Sequence, residues 1–220
     1  MPTIFLRVAL ATLIMLLAGC ATNHRYDYSA FRESKPRSIL VLPPANSSPD
    51  VRASYSMMAT VTRPLAEAGY YVFPVALVDQ TFRENGMSDP GEMHGAPPAK
   101  LAEVFGADAA LYITVDEYGA KYFLIDSQVI VSASARLVDL RTGQLLWEGK
   151  ASASNAEGNN NSGSGIIGML VGALIRQVSN SLGDQGYPVA RMTSFRLLSA
   201  RQGGLLPGPR SPEYQKVVGN

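Results

Sequence analysis

Val129-Ile130-Val131-Ser132-Ala133-Ser134-Ala135-Arg136-Leu137-Val138-Asp139-Leu140 runs into Arg141-Thr142-Gly143-Gln144 and returns as Leu145-Leu146-Trp147-Glu148-Gly149-Lys150-Ala151-Ser152-Ala153-Ser154. In the second half of the first run, Ser and Arg alternate with Ala, Leu and Val, the period-two pattern of a strand with one buried face. The four linking residues have the composition of a tight turn, with Gly143 where a positive φ is wanted. The stretch predicts an antiparallel hairpin, and the other elements are placed around it.

Upstream, Ala109-Ala110-Leu111-Tyr112-Ile113-Thr114-Val115 reads as another strand. Further back, Ser38-Ile39-Leu40-Val41-Leu42 is continuously apolar and is stopped by Pro43-Pro44, as expected of a strand covered on both faces. Ser48 and Asp50 are candidate caps for a helix over residues 51–68, where Met57, Met58, Val61, Leu65 and Ala68 recur at helical spacing. Pro64 interrupts that pattern: either the helix bends there or a second one begins at Arg63-Pro64. Gly69 ends the helix and residues 70–75 form a strand, which completes the outline of a right-handed βαβ crossover. A short helix over 76–85, an exposed loop over 87–98 and a helix over 99–105 follow. Together these elements predict an α/β domain (mixed α+β), three-layered, over residues 38–201. It holds a mixed sheet with an N-terminal βαβ crossover, the antiparallel hairpin and flanking helices.

Downstream, residues 155–165 are a low-complexity loop. They lead into Ile166-Ile167-Gly168-Met169-Leu170-Val171-Gly172-Ala173-Leu174-Ile175, apolar all round and so expected to be buried. Gly168 and Gly172 allow close helix packing. The helix is therefore either core or a partner-docking element presenting Gly168, Met169, Gly172 and Ile175. A polar continuation to Leu182 is closed by Gly183, and residues 187–198 form a further segment. The Pro- and Gly-rich tail, 202–220, is expected to be disordered.

The first 19 residues have the anatomy of a secretory signal peptide: Arg7, a short apolar core over 8–17, and small residues before a cut. That core is shorter than the roughly 20 residues needed to span a bilayer. Leu17-Ala18-Gly19-Cys20 resembles, residue for residue, the lipobox of bacterial lipoproteins. The resemblance implies acylation of Cys20, the one cysteine of the chain, and removal of residues 1–19. Ala21 stands where inner-membrane retention would have Asp, which implies the outer membrane, with the domain facing the periplasm. Residues 20–37 then read as a lipidated tether, with Tyr26, Tyr28 and Phe31 able to dock on the domain. Fully extended, about 17 residues reach roughly 55–60 Å.

After cleavage, 201 residues remain with 18 basic and 18 acidic side chains, a balance without the basic footprint of a nucleic-acid binder. An acylated Cys20 leaves no thiol for a disulfide, so stability falls to an apolar core. His24 and His94 have no neighbouring ligands at metal spacing, and His94 reads as a solvated loop residue. No nucleophile elbow, P-loop or Cys-His pair occurs. Gly163-Ser164-Gly165 lacks the lysine of a phosphate loop. Asp108, Asp116, Glu117 and Asp126 gather around one strand, where carboxylates bounding a turn are far commoner than an acid–base pair. No cofactor, metal or catalytic residue is expected, and no enzyme activity.

The lipobox, the Ile-Leu-Val-Leu-Pro-Pro strand, the crossover and the Asp139–Trp147 hairpin together resemble a family of bacterial outer-membrane lipoproteins of unknown function. Its α/β domain is similar to the TolB amino-terminal domain and to curli-secretion-associated lipoproteins. The resemblance implies a membrane partner through the lipid on Cys20 and a non-enzymatic accessory or assembly role in an envelope or secretion complex. It also implies a protein partner such as a secretion-type lipoprotein, or assembly into a homo-oligomer. A docking surface would be a sheet edge or the helix at Gly168 and Gly172. The competing reading is a regulator of a peptidoglycan synthase, for which a short tether is a poor reach.

Overall fold

Ile39 and Val41 face one side of β1 (Ser38–Val41) and Leu40 the other, and all three are fully buried. A strand covered on both faces belongs inside a three-layer domain. The computed structural model describes residues 26–122, 127–159, 185–201 and 204–218. In it β1 lies within a six-stranded mixed sheet of order β3 (Tyr71–Val72), β1, β4 (Ala109–Tyr122), β5 (Ser127–Asp139) and β6 (Leu145–Ser154), with β2 (Ala45–Asn46) beside β4.

Helix α2 (Ala53–Glu67) carries the chain from β1 to its parallel neighbour β3 (Tyr71–Val72), the expected crossover. α3 (Val75–Glu84), α4 (Pro90–His94) and α5 (Pro98–Phe105) bring it back to β4 (Ala109–Tyr122), parallel to β1 on the other side. Two crossovers of one hand that run in opposite directions along the sheet, β1 to β3 and then β3 to β4, place their helices on opposite faces. Met57, Val61 and Leu65 of α2 accordingly pack on the Ile39 side, while Val78 and Phe82 of α3 and Leu101 of α5 pack on the Leu40 side.

β4, β5 (Ser127–Asp139) and β6 (Leu145–Ser154) are antiparallel, as the hairpin pattern requires. Asp139 organises the β5–β6 turn: its carboxylate accepts from the backbone N–H of Arg141 and Thr142 at 2.8 Å each and from Ser34 Oγ at 2.6 Å. Burial pushes this carboxyl up, but the donors outweigh it and hold the group below the usual carboxylate range. Gly143 has φ 73°. Val131, Ala133, Ala135 and Leu137 point from β5 into the larger core.

Residues 187–198 form one helix with its neighbours, α6 (Gly186–Leu198), and it packs on α2 and β5. Its two fully buried hydroxyls are satisfied: Thr193 Oγ1 donates to the Val131 carbonyl at 2.9 Å, and Ser194 Oγ meets Thr60 Oγ1 at 2.6 Å.

Several expectations are corrected. Helix α2 runs through Pro64 as one element, so no second helix begins at Arg63. Neither Ser48 nor Asp50 caps it; Asp50 instead accepts from Arg52 N–H at 2.9 Å one turn earlier. The loop over 87–98 contains α4, capped by Asp89, whose side chain accepts from Gly91 and Glu92 N–H, and it buries Met93 completely.

The domain also extends beyond 38–201 at both ends. Upstream, α1 (Ser29–Ser34) buries Phe31 completely and Tyr28 nearly so, so residues 26–37, expected in the tether, belong to the domain. Downstream, residues 204–218 are an ordered strap, not a disordered tail: Leu205, Leu206 and Val218 are buried and α7 (Tyr214–Val217) closes it. The strap is stitched to the end of α2 by Gly208 N–H to the Ala68 carbonyl (2.8 Å) and Arg210 N–H to the Gly69 carbonyl (3.1 Å). The hydroxyls of Tyr28 and Tyr70 donate to the carbonyls of Gly204 and Leu206. Gly69 has φ 98°, and a Cβ there would stand 2.4 Å from Ser211 N, so its glycine serves both the helix end and the strap.

Candidate functional site

The helices on the Leu40 side cover β1 and part of β4, and among the described residues no helix covers the same face of β5 and β6. At the border of the covered and open halves, beyond the carboxyl ends of the parallel strands, lies a cleft of about 540 Å³. In open α/β sheets such crevices are the usual ligand position. His94 and Tyr112 form one wall and Arg136 and Lys150 the floor, with Tyr26 and Glu148 at the β6 side.

A β-bulge shapes this floor. The β4–β5 register shifts between Val115 and Glu117, so Asp116 has no partner in the ladder. Its carboxylate meets Lys150 Nζ at 3.1 Å and accepts from Ser134 Oγ at 3.4 Å. The shift also turns the even-numbered Tyr118 into the core, where its hydroxyl donates to Ser56 Oγ at 2.9 Å. Arg136 lies 5.7 Å from the Tyr112 ring centroid, a cation–π contact.

His94 is not solvated as expected. Its ring lies edge-on to Tyr112, and Nε2 donates to the Pro43 carbonyl at 3.0 Å, which makes it the Nε2–H tautomer. Burial, with Arg136 adding to it, holds the imidazole below its ordinary pKa; the Pro43 carbonyl and Asp89 oppose them.

The acidic residues singled out in the sequence do not converge. Asp108 is structural: it accepts from Arg37 N–H, Ser38 N–H and Ser38 Oγ at 2.9–3.0 Å and ties β1 to β4. Glu117 pairs with Lys121 at 2.7 Å. Asp126, His24, Cys20 and the helix positions Gly168, Met169, Gly172 and Ile175 lie outside the described residues. Among the described residues no group of three or more His, Cys, Asp or Glu side chains could hold a metal ion. None of their helices is long and apolar enough to cross a membrane.

The sheet edge suggested as a docking surface is blocked at three points along β6. Glu148 N–H donates to the Tyr26 hydroxyl (3.0 Å), the Ser152 carbonyl accepts from Arg196 (2.7 Å), and Ser154 N–H donates to the Glu157 carboxylate (2.9 Å). Side chains that occupy edge groups in this way oppose strand addition. Among the described residues, the face of β5 and β6, not the β6 edge, is the exposed surface. Sequence reasoning missed Arg136, Lys150 and Tyr112 as a group, although the alternation along the hairpin already put Ser134, Arg136, Glu148 and Lys150 on its polar side. What it could not supply was which half of that face the helices cover.

Fold and leader together define a lipoprotein carrying a three-layer α/β domain. The chain belongs to the family described as "Putative lipoprotein GNA1162-like", which matches residues 26–210. It is 49% identical over 205 residues to "Putative lipoprotein NMB1124/NMB1162" of Neisseria meningitidis serogroup B, covering 92% of this chain and 94% of that one. The crystal structure of lipoprotein GNA1162 from Neisseria meningitidis is similar at 55% identity with a TM-score of 0.54, over 66% of this chain and all of that one.

Proposed function

We propose that the protein is anchored through acylated Cys20 to the periplasmic face of the outer membrane and acts there, without catalysis, as an accessory or assembly factor for an envelope or secretion complex. The observation behind this reading is the shortness of the link. Tyr26, whose ring lies 4.8 Å from that of Tyr28 and whose hydroxyl holds Glu148, is only six residues from Cys20. Six residues reach at most about 21 Å, so the domain stays beside its own membrane. A regulator of a peptidoglycan synthase would need a longer reach than even a 17-residue tether gives, and six residues give far less. The proposed docking element is the apolar helix bearing Gly168, Met169, Gly172 and Ile175, with the cleft at Arg136 and Lys150 as the polar part of the surface.

The test is mild crosslinking in cells, followed by detergent extraction and identification of what co-purifies. Wild type is compared with Gly168→Leu/Gly172→Leu and with a chain carrying 20 Gly/Ser residues inserted after Asn23. Recovery of an outer-membrane assembly component that drops in both variants, each folded by circular dichroism, is the expected result. Recovery of a cell-wall synthase, enhanced by the longer link, would replace this reading with the regulator.

A further inference from the structure

A second cleft, of about 760 Å³, opens between α1, the last turn of α2 and the C-terminal strap. This is well within the range of small-molecule sites, about 300–1,000 Å³. Tyr28, Pro64, Leu206 and Pro207 line it with apolar surface, and Arg32 and Arg201 stand at it with exposed side chains. Two carboxylates line it too, but both are engaged: Glu67 with Arg63 at 2.8 Å and Glu213 with Lys216 at 3.0 Å. Arg32 and Arg201 have no carboxylate within ion-pair distance among the described residues. Both line the cleft together with Tyr28, on whose hydroxyl both act electrostatically.

Two guanidinium groups free of carboxylates, above an apolar wall, complement a phosphate carried on a hydrocarbon body. The location narrows the source of that phosphate. Tyr28 is eight residues from Cys20, at most about 28 Å of chain, so the cleft lies within reach of the bilayer that would hold the acyl chains of Cys20. We propose that this cleft receives the headgroup of an anionic phospholipid from that membrane, with Arg32 and Arg201 binding its phosphate. The proposal rests on the lipid-anchored reading above. A single acylated residue leaves a domain free to swivel about its link; a headgroup held between α1 and the strap gives it a fixed orientation on the membrane.

The experiment uses the full lipoprotein purified in a neutral detergent, with phosphatidylglycerol or phosphatidylcholine added, and native mass spectrometry to count bound lipid. Wild type is expected to retain phosphatidylglycerol about tenfold over phosphatidylcholine, in line with two basic side chains at a membrane surface. Arg32→Ser/Arg201→Ser, at two exposed positions, is expected to keep its circular dichroism spectrum and lose the preference. Equal retention of the two lipids by wild type would overturn the proposal, as would an undiminished preference in the double variant. Displacement of the lipid by millimolar inorganic phosphate would reassign the cleft to a soluble anion. The same spectra give the mass of the Cys20 modification, so an unmodified Cys20 beside an intact lipid preference would sink the anchored reading and leave the headgroup site standing.

Discussion

Gly149 shows how one residue without a side chain serves the core. A Cβ placed there would lie 2.4 Å from the Trp147 ring, which folds back along its own strand over the glycine. Gly149→Ala therefore has to displace a side chain that is 2% exposed, and is expected to cost about 1–3 kcal/mol. Trp147 is the chain's one tryptophan, so its fluorescence reports the shift directly; an unchanged emission maximum and urea midpoint would show that the ring does not depend on this gap. His94 makes a pH-dependent contribution of definite sign. Its folded pKa lies below the unfolded value of about 6.5, so the folded state binds its proton less readily than the unfolded chain does. Its stability contribution is complete above the unfolded pKa and falls as pH drops from there toward the folded pKa. Urea midpoints measured between pH 7.5 and 5 should fall in wild type and fall less in His94→Gln; parallel profiles would contradict the buried, neutral imidazole.

At the scale of elements, the strap and the α2–α6 seam carry the clearest consequences. Leu206 is 3% exposed and its carbonyl accepts the Tyr70 hydroxyl, whose pKa burial pushes far above the ordinary phenol value. Leu206→Ala is expected to cost about 2–5 kcal/mol, measured by denaturant unfolding. A loss below about 0.5 kcal/mol would mean that the strap only rests on the surface. In the seam, Thr60→Val leaves Ser194 Oγ without the hydroxyl it meets at 2.6 Å, and about 1–3 kcal/mol should be lost. A matching Ser194→Ala in the same chain should recover part of this, because it removes a buried hydroxyl left with only the weak Met57 sulfur acceptor at 3.1 Å. The hairpin, the crossover and α5 were legible from periodicity, because each rests on contacts close in sequence. Of α1 the docking of Tyr26, Tyr28 and Phe31 was legible but not the helix, and the strap was not legible at all: its apolar residues are sparse, set among Pro, Gly and charged groups, and acquire meaning only from partners more than 100 positions away.

For the whole molecule, the domain boundary is the quantity to test. A leaderless chain beginning at Tyr26 is expected to fold with the midpoint of a chain beginning at Ala21. One beginning at Ser38 loses Phe31, which is 0% exposed, together with Tyr28, and should be weaker by at least about 3 kcal/mol. Equal midpoints for all three would return residues 26–37 to the tether.

The sequence by itself pointed to a lipoprotein and determined the layers. A charged start, a short apolar core and a lipobox are read as a linear string, and strand and helix periods follow from backbone geometry that each segment carries alone. It also determined which side of the hairpin is polar. Only the tertiary structure decided where the domain begins and ends, which half of the sheet face stays open, that the β6 edge is closed by Tyr26, Arg196 and Glu157, and that Arg32 and Arg201 share a cleft. The physical reason is that these are properties of pairs of segments distant in the chain. Local pattern sets what a segment offers, and burial against a distant partner sets what is used.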